Sequence, residues 1–281
     1  MGTDSLLRYG LEDPRRLARF LLQGAERGLP EAQARLGQIL LDGNGIQRDQ
    51  ALALRWFRIA AHHGHADAMN MVGRCLENGW GTAVDLAAAA RAYAQAAQLG
   101  LDWGFYNYAN LLAQGRGVPR DRAAALELYR QAARQGHAKS MNLVGRFYEE
   151  GWGVPVDMEE AARWYLSAAQ AGDFRGQCSH AALLTRQGRV DEAVSWLRQA
   201  MRTATPGFLQ KIAEALAVSD SEPLRALAAE INSRYAQMQE PLPAMSSGKE
   251  GFHHHFRCAL TPKGNVYART YPRRIFARRG M

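Results

Sequence analysis

His137 to Gly172 reads HAKSMNLVGRFYEEGWGVPVDMEEAARWYLSAAQAG. Met141, Val144, Gly145 and Tyr148 fall at i, i+3, i+4 and i+7, the spacing of one face of a helix. Gly151 ends that helix, because the residue just past a helix C-terminus commonly needs positive φ. Asp157 is placed to cap a second helix, and Glu160, three residues on, completes a capping box. Trp164, Tyr165, Ala168 and Ala169 form the apolar stripe of the second helix, and Gly172 closes it. The stretch is a helical hairpin.

The hairpin recurs outward in both directions. Gly28, Gly64, Gly100, Gly136 and Gly172 stand 36 residues apart, as do Asp13, Asp49, Asp85, Asp121 and Asp157. Between them a two-glycine turn returns as Gly43-Asn44-Gly45, Gly79-Trp80-Gly81, Gly115-Arg116-Gly117 and Gly151-Trp152-Gly153. A period of this length signals a solenoid, in which one unit cannot bury its own stripe and neighbours must stack. Small residues at Gly37, Gly73, Ala109 and Gly145 alternate with large ones at Trp56-Phe57, Tyr93, Tyr129 and Trp164-Tyr165. Small facing large is how stacked hairpins interdigitate.

These positions together resemble the Sel1-like repeat, a relative of the tetratricopeptide repeat. The resemblance implies an all-α, right-handed superhelical solenoid of antiparallel helix pairs, with the first helix of each pair lining a concave surface. It implies an adaptor or scaffold, not an activity. The expected organisation is N-terminal capping helices over 1–28 and four repeats of 36 residues over 29–172. A degenerate tetratricopeptide-like unit and C-terminal capping helices follow over 173–240, then a linker and basic extension over 241–281. Within 173–240, Ala193, Trp196 and Ala200 each follow their counterparts by 32 residues, so one loop is shorter. Helices are expected at Phe208 to Ala217 and Pro223 to Gln239, with Asp220 or Ser221 capping the latter.

The first helices carry the candidate binding face. If Val72, Gly73 and Leu76 face the core, residues 70, 74 and 77 share another face. That face reads Asn70, Arg74, Glu77, then Tyr106, Asn110 with Asn107 alongside, then Asn142, Arg146, Glu149. Asparagine is a poor helix former, so its recurrence in mid-helix needs a reason. It can grip the backbone of an extended peptide, and arginine can clamp a carboxylate. The alternative is a solvated face with intrahelical Arg-Glu pairing. Trp80 and Trp152 are expected to pack over the neighbouring turn rather than stand out as anchors.

Charge and composition bound the rest. Hydrophobic residues make up 47 % of the chain, too many for general disorder. The net charge of +8 is concentrated after Ser246, where eight basic residues meet one acid. That segment follows a Pro/Ser linker and reads as a β-hairpin, Gly251 to Leu260 and Val266 to Tyr271 about a Pro262-Lys263-Gly264 turn. It could dock on the solenoid. It could reach nucleic acid or another acidic surface through Arg273, Arg274, Arg278 and Arg279. It could hold a metal through His253 and His255, with Cys258 on the opposite strand face. Three scattered cysteines suggest a reducing compartment. Without an apolar leader or a membrane-length apolar run, a cytoplasmic location is expected. The Gly-x-Gly turns lack the strand that a nucleotide fold requires. No catalytic motif stands elsewhere, so neither enzyme activity nor a cofactor is expected, and the partner is another protein. His62, His63 and His65, near Gly64, are expected to favour a helix C-terminal dipole as cations, and His137 by the same repeat.

Overall fold

The computed structural model describes residues 13–239. Among the described residues there are thirteen α-helices and no strand. They are α1 (Pro14–Glu26), α2 (Pro30–Asp42), α3 (Gln50–His62), α4 (Ala66–Asn78), α5 (Leu86–Gln98), α6 (Asp102–Gln114) and α7 (Arg122–Arg134). After these come α8 (Ala138–Glu150), α9 (Met158–Gln170), α10 (Phe174–Arg186), α11 (Val190–Ala200), α12 (Pro206–Ala217) and α13 (Glu222–Gln239). The described residues form an all-helical solenoid, and the chain divides into two compact units, Met1–Ala161 and Ala162–Met281. The segment proposed as a β-hairpin lies outside the described residues, as does everything before Asp13.

Four of the repeated aspartates, Asp49, Asp85, Asp121 and Asp157, each join two helices. The Asp85 N–H donates to the Leu76 carbonyl at 2.9 Å, tying the loop back to α4. Its carboxylate accepts from the Ala88 N–H at 2.8 Å, capping α5. Asp49 and Asp121 repeat both bonds, and Asp157 bonds to the Tyr148 carbonyl while accepting from the Glu159 and Glu160 N–H groups. Each bond satisfies a backbone group that a helix end would otherwise leave open. In the first unit, consecutive helices from α1 to α8 pack in chain order, and α4 also touches α6. One buried cluster runs from Ala18 through Phe57 and Tyr93 to Leu111.

In the second unit α10 packs on α11, α12 on α13, and α11 on α13. Their cluster runs from Cys178 through Leu197 and Phe208 to Ile231. Pro206 stands at the first turn of α12, where its missing N–H is harmless, so it begins a helix as well as ending the preceding unit. The Ser221 carbonyl accepts from the Arg225 N–H at the start of α13. Gln177 donates to the Ala169 carbonyl at 3.3 Å. In the first unit Gln33 makes the same bond to Ala25 at 3.2 Å.

The buried stripe of the first helices differs from expectation at three positions. Phe147 is fully buried, as are Leu111 and Cys75 one and two periods earlier, whereas Met141 and Tyr148 are only half-buried. A first helix packs against its own partner and against the neighbouring pair. Its buried arc is therefore wider than a single amphipathic stripe.

Candidate functional site

The candidate residues lie on α4, α6 and α8, and several are bonded across repeats. Asn70 is buried at 7 % exposure, and its side-chain oxygen accepts from Asn107 Nδ2 on α6 at 2.8 Å. Asn110 accepts from the Tyr129 hydroxyl on α7 at 2.7 Å. Glu77 accepts from the Tyr93 hydroxyl and from Arg116 Nη1 in the next two-glycine turn, both at 2.8 Å. These bonds give the mid-helix asparagines a structural reason that one helix's periodicity does not show. Glu77 turns to Arg116 and Tyr93, not to Arg74 on its own helix.

The arginines meet tryptophan. Arg74 lies 5.1 Å from the Trp80 ring centre, and Arg122 and Arg146 each lie 5.3 Å from that of Trp152. Trp152 also stands edge-on to Phe147 at 5.5 Å, and Trp80 packs on the core. Both tryptophans therefore pack over their turns. Asn142 and Arg146 are buried, while Arg74, Tyr106, Asn107, Asn110 and Glu149 are half-buried. A double-mutant cycle on Asn70→Ala and Asn107→Ala, read by chemical unfolding, is expected to give a coupling of about 1 kcal/mol. Additive single effects would show that the pair does not join the repeats.

An open pocket of about 180 Å³ lies between α2 and α4, lined among others by Glu31, Arg35, Gln38, Phe57, His65 and Met71. Ala34, also in its wall, and Gln38 stand one period before Asn70 and Arg74. The candidate row therefore extends one repeat further than the residues singled out from sequence, and stepping back by 36 would have found them. His65 Nδ1 accepts from the Ala68 N–H at 3.2 Å. Its Nε2–H is thereby free to donate to Glu31 at 2.9 Å. Arg35 adds a 2.5 Å bond to the same carboxylate. The His65 bond, with Arg35, pulls the Glu31 carboxyl below its ordinary range. In the second unit a hollow of about 590 Å³ lies along α11 beside Asp191, Ser195, Arg198 and Arg202, on a second helix rather than a first.

The histidines at Gly64 and Gly136 correct one expectation. His65 and His137 do not serve a helix C-terminus as cations. They cap the N-termini of α4 and α8 as acceptors, His137 Nδ1 taking the Ser140 N–H at 3.3 Å. Burial lowers the His137 pKa from 6.5 to about 4; nearby Asp102 opposes this and Lys139 adds to it. A base with a depressed folded pKa binds more protons when unfolded. Stability is then complete above about pH 6.5 and falls between about pH 6.5 and 4, by about 2–3 kcal/mol. Unfolding across this window is expected to show the loss, and His137→Asn, which keeps a capping side chain, to reduce its slope. An unchanged slope would contradict the assignment.

Among the described residues no group of three or more His, Cys, Asp or Glu could hold a metal ion. Cys75 and Cys178 are free and buried. Burial raises the Cys75 thiol to about 11 and pushes the Cys178 thiol higher still, so neither has reactive thiolate character. No described helix is long and apolar enough to cross a membrane. His253, His255, Arg273, Arg274, Arg278 and Arg279 lie outside the described residues.

Comparison with known proteins agrees with this geometry. The family model described as Sel1 repeat matches residues 30–65, 66–101, 106–137 and 138–173. No curated protein matches the chain. Among solved structures, the chain is similar to a Sel1 repeat protein from Oxalobacter formigenes, with a TM-score of 0.72 and 23 % identity over 84 % of this chain and 98 % of that one. A protective antigen of uropathogenic Escherichia coli strains displaying an SLR fold gives 0.65 and 24 %, over 84 % of this chain and 53 % of that one. An immunity protein from Pseudomonas aeruginosa gives 0.51 and 16 %, over 74 % and 81 %. At these identities the likeness is one of fold.

Proposed function

The chain belongs to the Sel1 repeat family, and from that premise we propose that it is an adaptor whose first helices, α2, α4, α6 and α8, bind a segment of another protein. The observation that carries the reading is the pocket between α2 and α4, which sets apolar Phe57 and Met71 beside Glu31, Arg35 and His65. Apolar walls with a few convergent polar groups are what a binding site needs. Arg74, Tyr106, Asn110 and Glu149 would continue the contact along later repeats, with Asn70, Asn107, Asn142 and Arg146 shaping it from beneath. Buried free thiols suit a reducing compartment, and the proposal takes the cytoplasm as the location. It assigns no catalytic step.

The rival reading rests on the charge concentrated after Ser246, and the two separate by salt. Arm-driven binding to phosphates or an acidic surface weakens steeply as salt rises. Full-length protein is the bait in lysate of the source organism, in three forms: native, Ala34→Arg to fill the pocket, and Arg273, Arg274, Arg278 and Arg279 all replaced by alanine. The adaptor reading expects a partner that survives high salt and the tail changes but binds Ala34→Arg about tenfold more weakly, a loss of about 1.4 kcal/mol. A partner indifferent to Ala34→Arg and lost with the tail arginines or with salt would replace this reading by the other.

A further inference from the structure

His65 and His137 are equivalent residues, 72 positions apart, with unequal surroundings. Both turn Nδ1 into their own helix as N-terminal caps, the Ser140 hydroxyl also meeting His137 Nδ1 at 2.8 Å; with Nδ1 the acceptor of these bonds, Nε2–H is the remaining donor. His65 donates it to the Glu31 carboxylate at 2.9 Å. His137 is 7 % exposed, and its Nε2 is buried with no hydrogen-bond partner. The reason is a change one repeat away: the position of Glu31 is taken by Trp103. A buried donor left unmade is costly, so an orphan at this place calls for an explanation.

The surroundings of that donor suit an anion with an apolar stem. Trp103 and Tyr106 stand 4.7 and 4.8 Å from the imidazole, ring centre to ring centre. Lys139, where repeat two has Asp67, lies 4.7 Å from the Trp103 ring. The Asp102 carboxylate is turned to its own helix terminus, accepting from the Trp103 N–H at 2.6 Å. Trp103 is 39 % exposed and is the more accessible of the two rings beside the imidazole, so its movement is the proposed route to Nε2.

We infer that the surface where α6 meets the start of α8 takes a glutamate side chain from a partner protein, seating its carboxylate on His137 as Glu31 sits on His65. Lys139 neutralises the incoming charge, and Trp103 and Tyr106 flank its methylenes. The first repeat pair supplies its own carboxylate, and the third leaves the place for the partner's. This rests on the adaptor reading and gives that surface a chemical preference.

The test uses linear peptides selected from a random display library on the full-length protein, with hydrogen exchange locating each. Peptides that protect α6 and α8 are expected to contain glutamate, and its change to glutamine to weaken binding about tenfold or more, the range of a charge-assisted hydrogen bond. Trp103→Glu places a carboxylate where Glu31 stands. It is expected to abolish the preference for glutamate over glutamine and to raise the His137 pKa, read by imidazole NMR. Trp103→Ala removes the cover without adding charge and is expected to keep the preference. Peptides on the first helices that bind equally well with glutamine, or a preference untouched by Trp103→Glu, would overturn the inference and leave the adaptor reading standing. Peptides that protect only other surfaces, or a selection that yields none, would overturn both.

Discussion

Tyr129→Ala is expected to destabilise the protein by about 3–5 kcal/mol, the cost of emptying a fully buried aromatic site. Tyr129 has no exposed surface. Its ring meets Phe147 edge-on at 5.6 Å and Tyr106 at 6.2 Å, and its hydroxyl holds Asn110. One side chain therefore joins three helices, α6, α7 and α8. Tyr129→Phe keeps the ring and loses the bond, and is expected to cost about 1 kcal/mol. Equilibrium chemical unfolding separates the two. Equal losses would mean that the hydroxyl, not the ring, dominates. A loss below about 1 kcal/mol for alanine would mean that repeats in the first unit do not stack as described.

Gly81→Ala is expected to cost several times more than Gly64→Ala, although the two glycines share nearly the same backbone angle. Gly64 has φ +79° with nothing within 4 Å of an added Cβ. Its loss is the left-handed strain alone, about 1 kcal/mol. Gly81 has φ +70°, and its Cβ would fall 2.2 Å from the Gln50 carbonyl oxygen. That oxygen is backbone at the start of α3, so one repeat must move away from the next, adding about 1–3 kcal/mol. Gly45 and Gly117 approach Pro14 and Leu86 in the same way. The second glycine of each turn is thus where consecutive hairpins touch. Equal effects at Gly64 and Gly81 would contradict that role.

The helix positions were legible because the repeat imposes them. Glycine and aspartate at fixed intervals mark where helices stop and start, and every helix of the four repeats follows from that step. Contacts between repeats were less legible. Asn70 and Asn107 lie 37 residues apart, and Glu77 and Arg116 lie 39 apart, so neither pair shares a face of one helix. Single-helix periodicity places Asn70 beside Arg74 and says nothing of the neighbour that buries it. His65 and His137 depart from the expected role for a related reason. Proximity to glycine suggests the end of the preceding helix, whereas the side chain serves the start of the next, a place usually held by Ser, Thr, Asp or Asn. Asp173 holds it one repeat on, accepting from the Gly176 N–H at 2.8 Å.

Within the proposed site, the sequence exposed the row but not its condition. Trp80 and Trp152 stack beneath arginines, so Arg74 and Arg146 are partly committed within the fold. The pocket at Ala34 and Gln38 is not legible in the sequence because those residue types carry no chemical signal alone. It is visible only once α2 and α4 are side by side.

Site-specific photo-crosslinking tests the central claim most directly. A photoreactive residue is placed in the full-length protein at Gln38 or Arg74 on first helices, and at Arg55 or Arg91, which are exposed, on second helices. Each protein is illuminated in lysate of the source organism. The adaptor account predicts that one partner protein is trapped from positions 38 and 74 and not from 55 and 91. The same partner trapped from 55 and 91 alone would place binding on the second helices and contradict it.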